Sequence, residues 1–357
     1  MNRAGAVRLL AVGDNVAIGH ERGLRFFYEK VTSTLRVGDL TFGNLEWPIG
    51  DSVAWDPRDH GRPLYGHMTP DDAEALSKAG FSVVSIANNH IMDYGADGLL
   101  QTLQHLDRQG VRACGAGVNF EEAHRPVFLT RRQLKVAFLA YTSVFVYPSY
   151  PVRPPRTAPQ MATLEVSTRY EPSPRIVEQP ATPMRTISCA VEQGLAAVQR
   201  EIRAARQAAD FVLVSWHWGV SDGHRKRATY QSQVGRACID AGAHLVVGHH
   251  PHVLQGIETY RRGVICYSLG NFAFWLGRDP TADEMAKFDP FSAIVDCEFD
   301  KGGIRSINFV PVLLNARFQP EVVTDDQGAV VYDALRKDSE EFGTGLHYSQ
   351  GRISLRL

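Results

Sequence analysis

At 357 residues the chain is long enough for about two average domains or one large α/β domain, and with 44% hydrophobic and 22% charged residues it can bury a sizeable core, which excludes wholesale disorder. Thirty-eight Lys and Arg against 39 Asp and Glu leave a formal net charge of -1, so the bulk cationic footprint of a nucleic-acid binder is missing and no nucleic-acid partner is expected. Five cysteines, scattered without a C-x-x-C pair, make a disulfide framework an unsuitable reading and suggest a reducing compartment.

The first apolar run, Val7–Val12, reads as a buried strand bounded by Gly13 and Asp14, and it is too short for the apolar core of a signal peptide. No later run reaches the length of a membrane helix, so the expectation is a soluble, cytoplasmic protein with no membrane partner. Helical spacing over Leu24–Leu35 precedes a strand at Leu40–Gly43. A helix at Pro70–Lys78 stopped by Gly80, a strand at Phe81–Ile86 and a helix at Gly98–Arg108 stopped by Gly110 follow. Strands at Val136–Tyr141, Phe211–Ser215, Leu245–Val247 and Val264–Ser268 alternate with helices at Gly194–Gln207 and Gln231–Ala241. Alternation of this kind implies layered α/β architecture. Beyond Tyr260 the spacing tightens to strands at Phe291–Glu298 and Ile304–Val312 with a last helix near Val330–Phe342, which reads as an antiparallel addition. The whole of 1–357 is expected to form one domain, interrupted at 147–185 by a proline-rich insertion. Pro148–Pro183 holds nine prolines in 36 residues, lacks a sustained period, and reads either as a plain surface insertion or as a substrate-covering loop.

Polar residues gather where strands end, and in α/β sheets ligands bind beyond the carboxyl ends of strands. The segments are Gly13-Asp14-Asn15, Gly43-Asn44-Leu45-Glu46-Trp47, Asn88-Asn89-His90-Ile91-Met92-Asp93, Ser215-Trp216-His217-Trp218-Gly219 and Gly248-His249-His250-Pro251-His252. Each alone reads as a cap, a turn or a core histidine. Together, with three imidazoles in four positions at the last, they call for a metal, for acid/base work or for hydrogen-bond partners. Asp14, Glu46, Asn89, His217, His250 and His252 are candidate ligands for one hard, partly hydrated divalent ion, calcium, magnesium or manganese ahead of zinc. Asp14, His90, Asp93, His250 and His252 are candidate acid/base groups in two His/Asp pairs, one at His90 and Asp93, the other joining Asp14 to the His249–His252 cluster. The alternative, with all of these as direct ligands, stays open.

Neighbours on a strand point to opposite faces, so Trp216 and Trp218 share one face and His217 takes the other. Trp47, Trp218, Tyr147 and Arg225 are candidate substrate contacts, the aromatics as a wall for a peptide or amino-acid-derived substrate and Arg225 for a carboxylate. Trp55 and Trp275 are further wall candidates. Gly115-Ala116-Gly117 lacks the dinucleotide fingerprint and its acidic partner, so no nucleotide cofactor is expected.

The ordered set GD, GNLEWPI, SIANNHIMDYGADGL, CGAG, SWHWG, DAGAHLVVGHHPHV and YSLGNF resembles the CapA, or poly-γ-glutamate capsule, family, a branch of the calcineurin-like metallophosphoesterases, across about residues 8 to 275. The resemblance implies a calcineurin-like α/β sandwich of two mixed sheets flanked by helices, with the site at the strand ends named above. Phosphoesterases of that fold usually carry D-x-H in the first motif, where Asp14-Asn15-Val16 has no histidine, and a bridging aspartate where Asn44 stands. Both departures weaken a two-metal centre. That weakening and the tryptophans favour metal-dependent Cα proton abstraction on a peptide, similar to the lasso-peptide epimerases of natural-product maturation. A hydrolase or amide-forming enzyme of capsule type is the alternative, and a non-catalytic scaffold is the third reading.

Overall fold

The computed structural model describes residues 5–51, 66–145, 154–222, 225–279 and 288–356, with Thr281 and Met285 between the last two segments. In chain order the strands are β1 Val7–Ile18, β2 Leu40–Leu45, β3 Val83–Ser85, β4 Arg112–Cys114, β5 Ala116–Gly117, β6 Val127–Arg131, β7 Leu134–Thr142, β8 Gln160–Met161, β9 Val166–Glu171 and β10 Arg185–Ala190. They continue as β11 Phe211–His217, β12 Leu245–His249, β13 Ile257–Tyr260, β14 Gly263–Cys266, β15 Asn271–Leu276, β16 Phe291–Asp300, β17 Gly303–Leu314, β18 Pro320–Val322, β19 Leu346–Ser349 and β20 Arg352–Leu355. The helices are α1 Gly23–Tyr28, α2 Thr32–Leu35, α3 Pro70–Ala79, α4 Gly95–Arg108, α5 Phe120–Ala123, α6 Glu192–Ala208, α7 Thr229–Asp240 and α8 Asp325–Ser339.

Two mixed sheets face each other. One has the order β19-β20-β17-β16-β1-β2-β3-β4, with β15 on β1 and β18 on β17; the other is β13-β14-β12-β11-β7-β6. Strands β1 to β4 are parallel, and β16, β17, β19 and β20 extend the sheet antiparallel, as the tightened spacing predicts. Period-2 alternation assigns each side chain to a layer. Val7, Leu9 and Ala11 of β1 point into the seam between the sheets with Phe138, Leu213 and Val247 of the other sheet, whereas Leu10 and Val12 face α1, α3 and α4. Across the seam Phe42 stacks on Phe138 with centroids 5.9 Å apart. On the far face of the second sheet Val212, Val214, Trp216 and Trp218 pack with Val198 and Ile202 of α6 and Val234 and Cys238 of α7.

Helix boundaries follow local chemistry. Pro70 opens α3 behind a capping box in which the Thr69 amide donates to Asp72 Oδ2 at 2.8 Å, and Gly80 closes it at φ 101°. The helix read over Leu24–Leu35 is two short ones, α1 and α2, broken at residues 29–31. The proline-rich stretch holds more regular structure than its composition predicts. Residues 166–171 and 185–190 form an antiparallel hairpin, because six registered pairs supply the hydrogen bonds that prolines at its tip cannot. Tyr147 and the start of that stretch, through Arg153, lie outside the described residues, as does Trp55. The five cysteines are free, and no helix among the described residues is long and apolar enough to cross a membrane.

Candidate metal centre

The same alternation that builds the seam brings polar groups to its rim. Leu40 and Phe42 line the seam, so Asn44, two residues on, faces it at the end of β2; Leu245 and Val247 do the same for His249, and Leu213 for His217. Registers align them, Asp14 with Asn44 and with Asn271, and His217 with His249. The backbones approach closely at this rim. The Asp14 amide donates to Gly270 O at 3.0 Å, and a Cβ on Gly13 would lie 2.0 Å from that oxygen, so only glycine fits before Asp14. Beyond β12 the chain turns through His250 at φ 92° and His252 at φ 57°, left-handed conformations that non-glycine residues hold only where the surroundings impose them.

At the centre lies Glu46. It is buried, and neither carboxylate oxygen accepts a hydrogen bond from any described residue. His217 Nε2 and His252 Nε2 each stand 3.5 Å from its Oε1. His252 is gripped on its other nitrogen, Nδ1 lying 2.9 Å from Asn271 Oδ1 and 3.5 Å from Asp14 Oδ2. Asp14 itself, fully buried, accepts from Asn44 Nδ2 at 2.9 Å and from the His250 amide at 3.3 Å, and its Oδ1 is 3.1 Å from His249 Nδ1. His217 Nε2 meets Asn89 Oδ1 at 2.6 Å while its Nδ1 has no partner among the described residues. Alongside, His90 Nδ1 is 2.7 Å from Asp93 Oδ2, and the His90 ring stacks on Trp47 with centroids 3.8 Å apart.

These contacts set the charges. Burial drives the Asp14 carboxyl upward, but the imidazoles of His249 and His252 outweigh it and hold the group well below the usual carboxylate range. Burial raises Glu46 well above its ordinary value, with Asp14 and Asp93 adding to the shift and His252 opposing it. Burial lowers His217 well below the usual imidazole value, and lowers His250 to about 3 with the help of His252. Burial also opposes charge on His252, yet Glu46 and Asp14 raise it to about 9.

A buried carboxylate with no hydrogen bond is costly unless a cation is its partner. Glu46, His250 and His252 can place one ligand atom each within 4.8 Å of one another, and His250 Nδ1 is likewise without a partner among the described residues. Those residues fit a divalent cation. Asp14, Asn89 and His217, also candidate ligands from sequence, flank the trio with their polar atoms turned largely to neighbours. Both expected His/Asp pairs are present, His90 with Asp93 and His252 with Asp14.

Two expected substrate contacts are corrected. Trp218 is fully buried against Trp216 at 5.8 Å and donates from Nε1 to Tyr267 O at 2.8 Å, so it belongs to the core under α7. Arg225 is committed internally, with Nη2 2.9 Å from Asp289 Oδ2 and Nη1 3.5 Å from Asp338 Oδ2. Trp47 is buried too, its Nε1 donating to Gly66 O at 2.7 Å, and it touches the site through His90. We expect Trp218→Phe to destabilise the protein by about 2 kcal/mol, from lost volume and an unpaired carbonyl, with the KM of any substrate unchanged. A denaturant melt and a saturation curve check this, and a raised KM without loss of stability would return Trp218 to the substrate wall.

From sequence His249 figures only as part of the His249–His252 cluster and Asn44 only as the replacement of a bridging aspartate, while Asn88 and Asn271 carry no expected role at the site. Counting by twos along Leu245-Val246-Val247-Gly248-His249 places His249 on the seam face and was the available signal. Asn88 has no such signal. Its side chain donates to Leu45 O at 2.8 Å and accepts from the His90 and Ile91 amides at 3.1 and 3.0 Å, tying the Glu46 strand end to the His90 loop.

Residues 8–275 match the family model described as "Bacterial capsule synthesis protein PGA_cap". The chain is 29% identical over 321 residues to the capsule biosynthesis protein CapA of Bacillus anthracis, covering 89% of this chain and 69% of that protein. It is 28% identical over 324 residues to the PGA biosynthesis protein CapA of Bacillus subtilis, covering 90% and 74%. A probable polyglutamine synthesis accessory protein of Mycobacterium tuberculosis is 31% identical over 238 residues, covering 65% of this chain and 55% of that one.

Proposed function

The chain belongs to the bacterial capsule synthesis protein family, and from that premise we propose that it is a metal-dependent enzyme that cleaves or forms an amide bond in a glutamate-derived, amide-linked chain. The observation that carries the reading is Glu46, a buried carboxylate with both oxygens unpartnered among the described residues and two imidazoles beside it. The relatives named for capsule and PGA biosynthesis favour amide chemistry on such a chain over proton exchange on a ribosomal peptide.

Glu46, His250 and His252 would hold the cation, which when bound supplies Lewis-acid polarisation of the scissile carbonyl. Two imidazoles with one carboxylate suit manganese or zinc better than calcium or magnesium. Asn271 and Asp14 face His252 Nδ1 and turn its Nε2 towards Glu46, the carboxylate-histidine support common behind metal ligands. His90, held by Asp93 at Nδ1, would take a proton from an attacking group and return it to the leaving amine. Trp47 beneath it limits the ring to one orientation.

Incubating the metal-loaded protein with γ-linked glutamate oligomers in deuterated water, followed by mass spectrometry, tests the reading. Shortened or transferred chains without deuterium at Cα are expected. The two imidazole-carboxylate pairs favour one second reading, Cα proton exchange on a peptide; deuterium uptake without cleavage would establish it. Neither product with any divalent metal would remove both.

A further inference from the structure

The hairpin of β9 and β10, inside the proline-rich stretch, has two edges that differ. At its foot the Val191 amide donates to Glu165 O at 2.9 Å, which makes Glu165 and Val191 a hydrogen-bonded pair. Such pairs alternate along an antiparallel ladder, so Ser167, Arg169 and Glu171 bond inward to β10, and the N–H and C=O groups of Val166, Thr168 and Tyr170 point away from it. On β10 the matching outward groups are taken. The Ser188 amide donates to Thr229 Oγ1 at 2.7 Å, that hydroxyl donates to Ser188 O at 2.6 Å, and the Ala190 amide donates to Gln233 Oε1 at 2.9 Å, so α7 closes that edge. No described strand pairs with the outer edge of β9. Thr168, Arg169 and Tyr170 are exposed along it, Tyr170 at 66%, and the tip beyond shows Ile176 and Val177 to solvent, Val177 at 87%.

We propose that two copies of this chain join at this edge, β9 against β9, about a two-fold axis through Tyr170. A free edge pairs with an extended strand through its main-chain groups, and a second copy brings the same free edge. A two-fold contact must be complementary to itself, which selects the register. With the axis at Ser167, Tyr170 would face Leu164, whose amide already donates to Thr142 O at 2.9 Å. With the axis at Thr168, Glu171 would face Glu165, and with it at Arg169 that residue would face its own copy; both set like charges opposite each other. With the axis at Tyr170, Arg169 faces the partner's Glu171 and Glu171 faces the partner's Arg169. Arg169 Nε already lies 3.0 Å from Glu171 Oε1 on its own strand, so these groups close into a ring of alternating sign. The paired tyrosines exchange main-chain hydrogen bonds, each Thr168 amide donates to the partner's Pro172 O, and proline, lacking an N–H, ends the ladder there. So short a ladder buries less than the ~1,200 Å² of a stable interface. The antiparallel arrangement adds apolar contact, because it carries Ile176 and Val177 of each hairpin to the foot of the other, where Val191 is exposed.

Sedimentation velocity of the full chain over a concentration series tests the pairing, and the wild type should be a dimer. Arg169→Glu and Glu171→Arg should each raise the dissociation constant about tenfold at low salt and less at high salt, because each turns both facing pairs into like charges. An equimolar mixture of the two variants should dimerise as the wild type does, since each hairpin then offers the charge that the other faces. That recovery would also show that both variants are folded. A wild type that stays monomeric at every concentration, a dimer that survives either single variant, or a mixture no tighter than its components overturns the interface.

Discussion

If the proposed cation sits at Glu46, His250 and His252, Glu46→Gln should leave less than about a tenth of the wild-type metal after purification, with turnover reduced roughly 10³-fold or more. The physical reason is the isolation of the group. Both Glu46 oxygens are sealed from water without a hydrogen bond from any described residue, so ionising the group is costly and without a cation it holds its proton more tightly than an ordinary carboxyl. A neutral amide of the same shape removes that cost. In the presence of a chelator the variant should therefore melt no lower than the wild type, and by up to about 1–3 kcal/mol of relieved desolvation it should be the more stable protein. With metal added the order should reverse, because a ligand that binds only the folded state stabilises it. Elemental analysis and paired melts check both halves. Unchanged metal content would move the cation away from Glu46, His250 and His252 towards Asp14, Asn89 and His217.

The parts of this site that were legible in sequence are those with a short-range cause. Strand-end placement followed from apolar runs and the polar residues that stop them, which is why Asp14, Glu46, His90, His217 and His252 converge as expected. Strand alternation correctly separated His217 from Trp216 and Trp218. What alternation does not reveal is what each face meets. Alternation alone leaves the tryptophan face readable as a substrate wall, but α6 and α7 cover it, and packing between elements distant in sequence leaves no local mark. With those rings in the core, one of the two reasons for preferring epimerisation weakens, and of Trp47, Trp216 and Trp218 only Trp47 still touches the site, through His90. The other reason, loss of a bridging carboxylate at Asn44, acquires a different structural content. Asn44 Nδ2 donates to Asp14 Oδ1, so the position that would bridge two cations orients the carboxylate that supports His252. The partners of Arg225 are hidden from sequence on similar grounds, since Asp289 and Asp338, which claim it, lie 64 and 113 residues away.

The second large effect is expected at the pair beside the metal. His90→Asn should lower kcat by about 10² to 10⁴-fold, the range for removing a positioned acid/base group, while metal content stays at the wild-type level because His90 is outside the Glu46, His250 and His252 trio. Asp93→Asn should follow it in direction with a smaller loss. The Asp93 carboxylate accepts the His90 Nδ1 proton at 2.7 Å, and an amide in its place gives a weaker acceptor and permits the ring to turn over. If the two act as one unit, the double variant should be no slower than His90→Asn alone, since residues that depend on one another lose their effect only once. Additive losses in the double variant would mean that His90 and Asp93 only brace the loop against Trp47 and that the proton is moved by another group at the rim.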